Sequence, residues 1–265
     1  MSLQVVVNFK VIDESADWIV VDKPAPLIVH PTNLKPEPTL LGGLRNLLAY
    51  EIANGARLSM ANRLDRDTSG LVLIAKSAQV ARELGLLFER REVGKSYDAL
   101  VHGWPAADAW ECTQPIRRAS ITRESKIWVL QEVCEFGRSC HTNFLVRDRF
   151  FRRGEKFSHL TCFPKTGRMH QIRVHLAHAG HPIVGDKIYH GDGSAYIEWM
   201  RSGWNVELEK TMLLPRHALH ASMLEIPWAG ELRRWQAELP DDFREFIAGE
   251  TISQTPGVVI WNRHE

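Results

Sequence analysis

The residues best suited to covalent chemistry lie in a short charged run in the first third of the chain. Arg63, Asp65, Arg66 and Asp67 alternate in charge, and residues 68–70 lead from them into an apolar stretch. Neighbouring arginines favour the ionised form of an aspartate, and an ionised carboxylate in a fixed position can act as a nucleophile. A solvated turn with ion pairs has the same composition, so this run alone leaves two interpretations of Asp65.

A second set of polar side chains lies between Thr166 and His175. If this segment is helical, His170 and Arg173 are three residues apart and share a face. An arginine that points into the fold needs a carboxylate or phosphate partner, and Asp65 is the carboxylate that we expect to pair with Arg173. An amphipathic helix with a solvated basic stripe is the alternative.

Tyr97 begins a stretch, residues 97–101, whose alternating pattern predicts a β-strand. A tyrosine on a strand usually packs in the core with its hydroxyl at the edge. The functional interpretation is an aromatic platform on which a displaced base stacks, with the hydroxyl placed for proton transfer. A position on a strand is compatible with both interpretations.

Charge is unevenly distributed along the chain. The 265 residues have a net charge of +1, yet the segment from Arg138 to Lys187 contains ten Lys or Arg against three Asp or Glu. Such a region suits a surface that faces phosphates, although a solvated arginine-rich loop has the same composition. A hairpin with its tip at residues 150–156 is expected there. Phosphate contacts are assigned to three of its arginines, Arg149, Arg152 and Arg153.

Composition narrows the class of protein. The four cysteines form no C-x-x-C pair, which in a chain of this length predicts reduced thiols in a cytoplasmic protein. The N-terminus lacks the pattern of a secretion signal. The longest apolar run, Leu71–Ala75, is too short to cross a bilayer, so no membrane segment is expected.

The elements that must position these residues are a mixture of strands and helices. Without a regular βαβ repeat, the mixture favours an α+β fold. Strands are predicted at 5–12, 18–21, 71–76, 97–101 and 217–226, with several more between 125 and 163. Helices are predicted at 40–53 between the N-cap Thr39 and Asn54-Gly55, at 78–92, at 169–179 before Gly180, and from Asp241. Because no segment has the composition of a linker, a single domain over residues 1–265 is expected.

Four motifs follow one another along the chain. Residues 62–70 read NRLDRDTSG, 95–103 KSYDALVHG, 166–175 TGRMHQIRVH and 180–189 GHPIVGDKIY. These motifs resemble those of RNA pseudouridine synthases of the RluA type, and the resemblance covers about residues 17–228. Two residues depart from the family pattern: Asn62 stands where many members have His, and Pro26 where Gly is usual. Neither is expected to remove a catalytic group.

The resemblance implies a pseudouridine synthase catalytic fold, which is an α+β fold with a mixed, mainly antiparallel sheet, flanking helices and a central RNA-binding cleft. It also implies an isomerase that detaches uracil from its ribose, rotates it and rejoins it through carbon. Since neither redox chemistry nor hydrolysis is involved, no cofactor and no metal are expected. The implied partner is a stem-loop of ribosomal or transfer RNA, between which the resemblance does not choose. No obligatory protein partner and no N-terminal module of the S4 type are expected.

Roles for single residues follow from the same resemblance. Asp65 would be the catalytic carboxylate, Arg173 its counter-charge and Tyr97 the stacking platform. Whether Asp65 attacks C1′ or acts by another route stays open. Further contacts with the substrate or the surrounding RNA are expected from Arg63, Arg66, Thr68, Arg168 and His170.

Three rival functions have specific sequence features. Asp65 and Asp67, on one side of an extended strand, would be separated by the ~5–5.5 Å of a retaining glycosidase pair. His170, His175, His178 and His181 could be taken for metal ligands, but their spacing matches no established ligand pattern. A catalytically inert RNA-binding protein would lack the aspartate, tyrosine or arginine that are all present.

Overall fold

The computed structural model describes residues 8–30 and 38–249. Within these ranges the chain forms two compact units. The first comprises residues 8–30, 38–94 and 221–238, and the second comprises residues 95–220 and 239–249. Each unit has its own core, and the expectation of one catalytic domain stays a prediction.

Twelve strands and seven α-helices lie in the described residues. The strands are β1 Lys10–Glu14, β2 Trp18–Lys23, β3 Ser59–Met60, β4 Ser69–Ala75, β5 Gly94–His102, β6 Ala109–Cys112, β7 Ile116–Arg118, β8 Gln131–Val133, β9 Thr142–Arg152, β10 Glu155–Pro164, β11 Leu219–Trp228 and β12 Glu231–Gln236. The helices are α1 Leu40–Leu47, α2 Ala49–Ala53, α3 Ala78–Glu89, α4 Gln171–His178, α5 Ser194–Ser202, α6 Val206–Met212 and α7 Asp241–Ala248. This mixture, with antiparallel pairing within each unit, confirms the α+β prediction.

The first unit is built on buried strands. Strands β1, β2, β4 and β11 are neighbours in that order, with β3 beside β4 and β12 beside β11. All seven residues of β4 are buried, as expected for an uninterrupted apolar run covered on both faces. The tight connection predicted before β2 is present, because Ser15 Oγ accepts hydrogen bonds from the N–H groups of Asp17 and Trp18. Residues 5–7 of the first predicted strand lie outside the described residues.

Helix boundaries in the first unit follow local signals. Thr39 is the N-cap of α1, and its hydroxyl accepts a hydrogen bond from Gly42 N–H at 3.0 Å, as predicted. The helix expected over residues 40–53 is divided at Leu48, where the backbone (φ −100°, ψ 30°) leaves the helical range. Asn54 and Gly55, with φ +101° at the glycine, end the segment as predicted.

The second unit contains a sheet in the order β5, β10, β9, β6 and a separate hairpin of β7 and β8. Strands β9 and β10 form a long antiparallel hairpin with its turn at Arg153-Gly154, within the predicted tip. The core of this unit includes Phe144, Phe157 and Phe243. Cys140 and Val174 pack with residues of the β7–β8 hairpin and join it to α4.

Helix α4 begins later than predicted. Its expected start was Met169, but the helix begins at Gln171 because His170 has a left-handed backbone with φ +57°. Such a conformation is uncommon for a residue other than glycine. The C-terminal end is as predicted, with Gly180 at φ +83° directly after the cap residue Ala179.

Across residues 8–30 and 38–249, no helix is both long enough and apolar enough to cross a membrane.

Candidate active site

Asp65 lies in a turn at the start of β4, in the first unit. Its carbonyl accepts a hydrogen bond from Thr68 N–H at 3.2 Å, and Arg66 and Asp67 occupy the turn. Asp65 and Asp67 are therefore not on one face of an extended strand, and the geometry assumed for a glycosidase-like pair is wrong. The side chain of Asp65 is half-buried rather than fully solvated.

Asn62 fixes the chain before this turn. Its side-chain amide donates to Leu71 O at 3.1 Å, and its Oδ1 accepts from Leu73 N–H at 2.8 Å. The amide thus completes the hydrogen bonding of one edge of β4, which an imidazole could not do in the same way because it has no geminal donor and acceptor. The departure from the family pattern at this position therefore has a structural role.

Gly70 fixes the chain after the turn. Its backbone has φ +112°, and a Cβ at this position would lie 2.3 Å from Ala221 O. Contacts this short do not occur for real side chains, so only glycine lets β4 pass so close to β11. The Thr-Ser-Gly end of the motif is therefore required by packing.

Lys23 anchors the turn through hydrogen bonds from its ammonium group. It is fully buried, and its ammonium group donates to Pro24 O at 3.0 Å, Leu27 O at 2.8 Å and Arg66 O at 3.1 Å. Arg66 O also accepts from Leu27 N–H at 2.9 Å. A buried ammonium is tolerated only with several such partners, so Lys23 ties the segment after β2 to the turn that carries Asp65. Sequence analysis gave this lysine no role.

We expect the substitution Lys23→Met to loosen this connection. It removes one donor from each of three carbonyls, of which Arg66 O keeps the bond from Leu27 N–H, and a buried carbonyl left without a donor costs roughly 1–3 kcal/mol. Urea denaturation should show a lower free energy of unfolding, and the Leu27 amide should lose protection in hydrogen exchange. Lys76→Met is a matched control, because Lys76 is also nearly buried in the first unit but pairs with the partly exposed Glu14. Equal losses in both variants would contradict the anchoring role.

Tyr97 lies on β5 in the second unit, where Cys162 of β10 is its partner. The ring is half-buried and packs against an apolar cluster that includes Leu100, Leu160 and Ile172. Its position on a strand is confirmed. The core contact agrees with the ordinary interpretation, while half-exposure leaves ring surface for a base, so the platform role stays a prediction.

Arg173 is buried on α4 and forms a bidentate ion pair with Asp186. Its Nε donates to one carboxylate oxygen at 2.7 Å and its Nη2 to the other at 2.8 Å. The prediction that this arginine points inward and needs a carboxylate is confirmed. The carboxylate in this pair is Asp186, which sequence analysis did not propose, although the aspartate of the GHPIVGD segment was a usable signal. The pair uses two of the five N–H donors of the guanidinium.

Asp186 is fully buried and stays ionised. Burial by itself raises the pKa of its carboxyl. The charge and hydrogen bonds of Arg173, together with the N–H groups of Tyr189 and Ile188, outweigh that effect and hold the pKa below its ordinary value. The carboxylate thus gives Arg173 a fixed orientation.

His217 is a neutral group within a cluster of cations. Burial, followed by the nearby charges of Arg173, Lys187 and Arg216, lowers the pKa of this imidazole well below its ordinary value. A further positive charge there would be neither solvated nor paired. The imidazole of His217 is therefore neutral beside these cations.

Arg168 and His170 lie in the segment that enters α4. Arg168 donates from Nε to Ser139 O at 3.2 Å, and its N–H donates to Gln171 Oε1 at 3.0 Å. His170 Nδ1 is 2.8 Å from the hydroxyl of Tyr189. Both side chains are half-buried, and their predicted RNA contacts remain predictions. His175 was another of the histidines considered as metal ligands. Its ring nitrogens instead contact the hydroxyl of Thr142 and the carbonyl of Gln114 in the interior.

The arginines of the β9–β10 hairpin differ in their surroundings. Arg149 pairs with Asp108 at 2.7 Å and donates to Pro105 O at 2.9 Å. Arg152 donates to the carbonyl oxygens of residues 245 and 246 at the end of α7, a position that favours a cation. Arg153 occupies the exposed turn. The phosphate role of all three stays a prediction, and two of them have intramolecular contacts that such a role would have to share.

The predicted site residues thus divide between the units. Asp65, Arg63, Arg66 and Thr68 belong to the first unit, where Arg63 Nη1 lies 3.4 Å from His30 Nε2. Tyr97, Arg173, Arg168 and His170 belong to the second. The expected pairing of Asp65 with Arg173 would join residues of the two units, and it stays a prediction.

Comparison with known proteins gives consistent matches. The sequence model of the family described as RNA pseudouridylate synthase matches residues 17–178. The ribosomal large subunit pseudouridine synthase D of Pseudomonas aeruginosa is 34% identical over 242 residues, which are 89% of this chain and 70% of that protein. The protein of the same name from Nitrosomonas europaea is 35% identical over 243 residues, 91% of this chain and 65% of that protein.

Two solved structures have the same fold. Human RNA Pseudouridylate Synthase Domain Containing 1 is 25% identical, with a TM-score of 0.69 over 97% of this chain and 94% of that one. Human RNA Pseudouridylate Synthase Domain Containing 4 has a TM-score of 0.70 over 91% of this chain and 92% of that one, at 23% identity. Because its identity is only 23%, the match to Domain Containing 4 supports the fold alone.

The fold and the motifs that carry its polar residues define an RNA pseudouridine synthase, an isomerase that converts uridine in RNA to pseudouridine. The chain belongs to the RNA pseudouridylate synthase family, and its relatives confirm the resemblance to the RluA type.

Proposed function

We propose that this enzyme isomerises one or a few uridines of large-subunit ribosomal RNA, with Asp65 as its catalytic carboxylate. The observation that carries the choice of RNA is the 34–35% identity, over about nine-tenths of the chain, to synthases named for the large ribosomal subunit. Transfer RNA is the alternative that the motifs alone allow.

The reaction breaks the bond between N1 of uracil and C1′ of ribose and forms a bond between C5 and C1′. The hydrogen at C5 leaves as a proton, and N1 gains one, so that no oxidant, reductant or water is consumed. Asp65 supplies the negative charge on which cleavage depends, whether by attack at C1′ or by another route. The turn that carries it is suited to this because its backbone is fixed before the turn by Asn62, after it by Gly70 and within it by Lys23.

Arg173 and Tyr97 serve the same step from the second unit. Arg173 keeps Asp65 ionised and correctly oriented, and the bidentate pair with buried Asp186 supports that role because it fixes the orientation of the guanidinium. Tyr97 stacks on the displaced base and exchanges a proton with it. Arg63 holds the extruded nucleotide or fills the space that it leaves.

The remaining contacts are with the RNA around the target. Extrusion of a base costs a few kcal/mol and less in a loop than in a duplex, so the target uridine lies in the loop of a stem-loop. Arg66, Thr68, Arg168 and His170 contact the nucleotides nearest to it. The hairpin arginines contact more distant phosphates and make the affinity dependent on salt.

The working compartment is the cytoplasm. All four cysteines are free thiols, which suits a reducing environment. RNA is sufficient as the partner, without an obligatory second protein.

Pseudouridine mapping in cells with and without the gene tests this proposal. We expect one or a few sites in large-subunit ribosomal RNA to disappear with the gene, and the purified enzyme to restore them on the unmodified RNA. Loss of sites in transfer RNA alone would overturn the choice of substrate. An unchanged map, together with no restoration by purified enzyme on either RNA, would overturn the proposal as a whole.

A further inference from the structure

Tyr189 joins three parts of the second unit. Its ring lies against the guanidinium of Arg173, with 5.0 Å between Arg173 Cζ and the ring centroid. Its hydroxyl is 2.8 Å from His170 Nδ1 and accepts a hydrogen bond from Gln131 N–H at 3.0 Å. One side chain thus contacts α4, the residue before α4 and strand β8 of the β7–β8 hairpin.

Asp186 fixes the backbone that carries this tyrosine. One of its carboxylate oxygens accepts hydrogen bonds from Ile188 N–H at 3.0 Å and Tyr189 N–H at 3.1 Å, and the same carboxylate holds Arg173. Arg173 therefore has a carboxylate along its edge and an aromatic ring on its face. An arginine held by both contacts keeps a single orientation, whereas a flexible side chain would sample several.

The hydroxyl of Tyr189 also contacts His170, the residue with a left-handed backbone directly before α4. Left-handed backbone is sparsely populated outside glycine and persists only where neighbouring contacts favour it. Because the hydroxyl already accepts from Gln131 N–H, its own hydrogen can be donated to His170 Nδ1. The contact thereby sets the orientation of the imidazole ring.

We propose that Tyr189 is a positioning residue of this synthase, whose ring orients Arg173 for the chemical step and whose hydroxyl orients His170 for RNA binding. The proposal rests on the proposed function of Arg173 and His170. It assigns one role to the ring and another to the hydroxyl. A role in folding alone would not affect kcat through the ring and KM through the hydroxyl.

Two substitutions separate the two roles. Tyr189→Phe keeps the ring on Arg173 but removes the hydroxyl, so we expect KM for RNA to rise about 3-fold to 10-fold with kcat nearly unchanged. Tyr189→Leu also removes the cation–π contact, so kcat should fall about tenfold further. Tyr196→Leu is the matched control, because Tyr196 lies in the same unit and its ring is tilted against that of Trp199, with 5.9 Å between the ring centroids. Its kcat and KM should match the parent.

The measurement is release of tritium from uracil C5 under single-turnover and steady-state conditions, on unmodified large-subunit ribosomal RNA, with the melting temperature recorded for each variant. If Tyr189 acts through Arg173, then Tyr189→Leu added to Arg173→Lys should lower kcat no further than Arg173→Lys alone. Full additivity would overturn the proposal, as would an unchanged kcat in Tyr189→Leu or an unchanged KM in Tyr189→Phe. Should Arg173→Lys itself retain full activity, the proposed function of Arg173 would fail instead, which is a distinguishable result.

Discussion

Replacing Asp65 with Asn should abolish the release of tritium from C5 of uracil and leave RNA binding largely intact. The substitution keeps the size of the side chain and the backbone turn, since the hydrogen bond from Thr68 N–H goes to the carbonyl of Asp65 and not to its carboxylate. It removes the negative charge on which, in the proposed function, cleavage of the N1–C1′ bond depends. A loss of 10³-fold or more in rate, about 4 kcal/mol of transition-state stabilisation, is expected.

Asp67→Asn is the matched control for this change. Asp67 lies in the same turn, is also half-buried, and loses the same charge on substitution. Release of tritium should continue at close to the parent rate, while filter binding of the RNA gives similar affinity for both variants. Full activity of Asp65→Asn, or equal loss in both variants, would remove Asp65 from its catalytic role.

The parts of the fold that could be predicted have local signals. Thr39 is followed by a helix and caps it, Gly180 ends α4 with positive φ, and the apolar residues 71–75 form a strand. In each case the cause and its effect lie within a few residues of one another. Tyr97 lies on a strand and Arg173 on a helix that points its arginine inward, as the residue patterns predict.

The parts that sequence analysis missed depend on partners far away in the chain. Lys23 supports the Asp65 turn through Arg66, 43 residues later. Arg173 pairs with Asp186, 13 residues later, and the His170 ring contacts the hydroxyl of Tyr189, 19 residues later. No periodicity reports such contacts, because they are made only when separate elements pack.

Charge patterns were a weaker guide than motifs for the same reason. The composition of the basic region from Arg138 to Lys187 suits either a surface that faces phosphates or a solvated arginine-rich loop. In the structure Arg173 is buried against a carboxylate, and Arg149 and Arg152 have partners within the protein. A count of charges cannot separate an arginine that supports the fold from one that is free to meet RNA, since both carry the same formal charge.

Two buried arginine–aspartate pairs of the second unit provide a comparison between structural and catalytic roles. Arg173 with Asp186 and Arg216 with Asp242 have the same geometry, with donor–acceptor distances of 2.7 and 2.8 Å in each. All four side chains are nearly or fully buried. Each pair is therefore expected to stabilise the fold to a similar degree, and only one of them includes a residue assigned to the site.

Arg173→Lys and Arg216→Lys should consequently lose similar stability but very different activity. Lysine keeps the charge but loses one of the two hydrogen bonds of the bidentate pair. Each variant should therefore lose about 1.5–3 kcal/mol of unfolding free energy in urea. If Arg173 orients Asp65 as proposed, the small displacement of the cation in Arg173→Lys should also lower kcat about 100-fold, whereas Arg216→Lys should keep the parent kcat at a temperature where both variants are folded. Equal losses of kcat in the two variants would show that the fold, and not the orientation of Asp65, depends on Arg173.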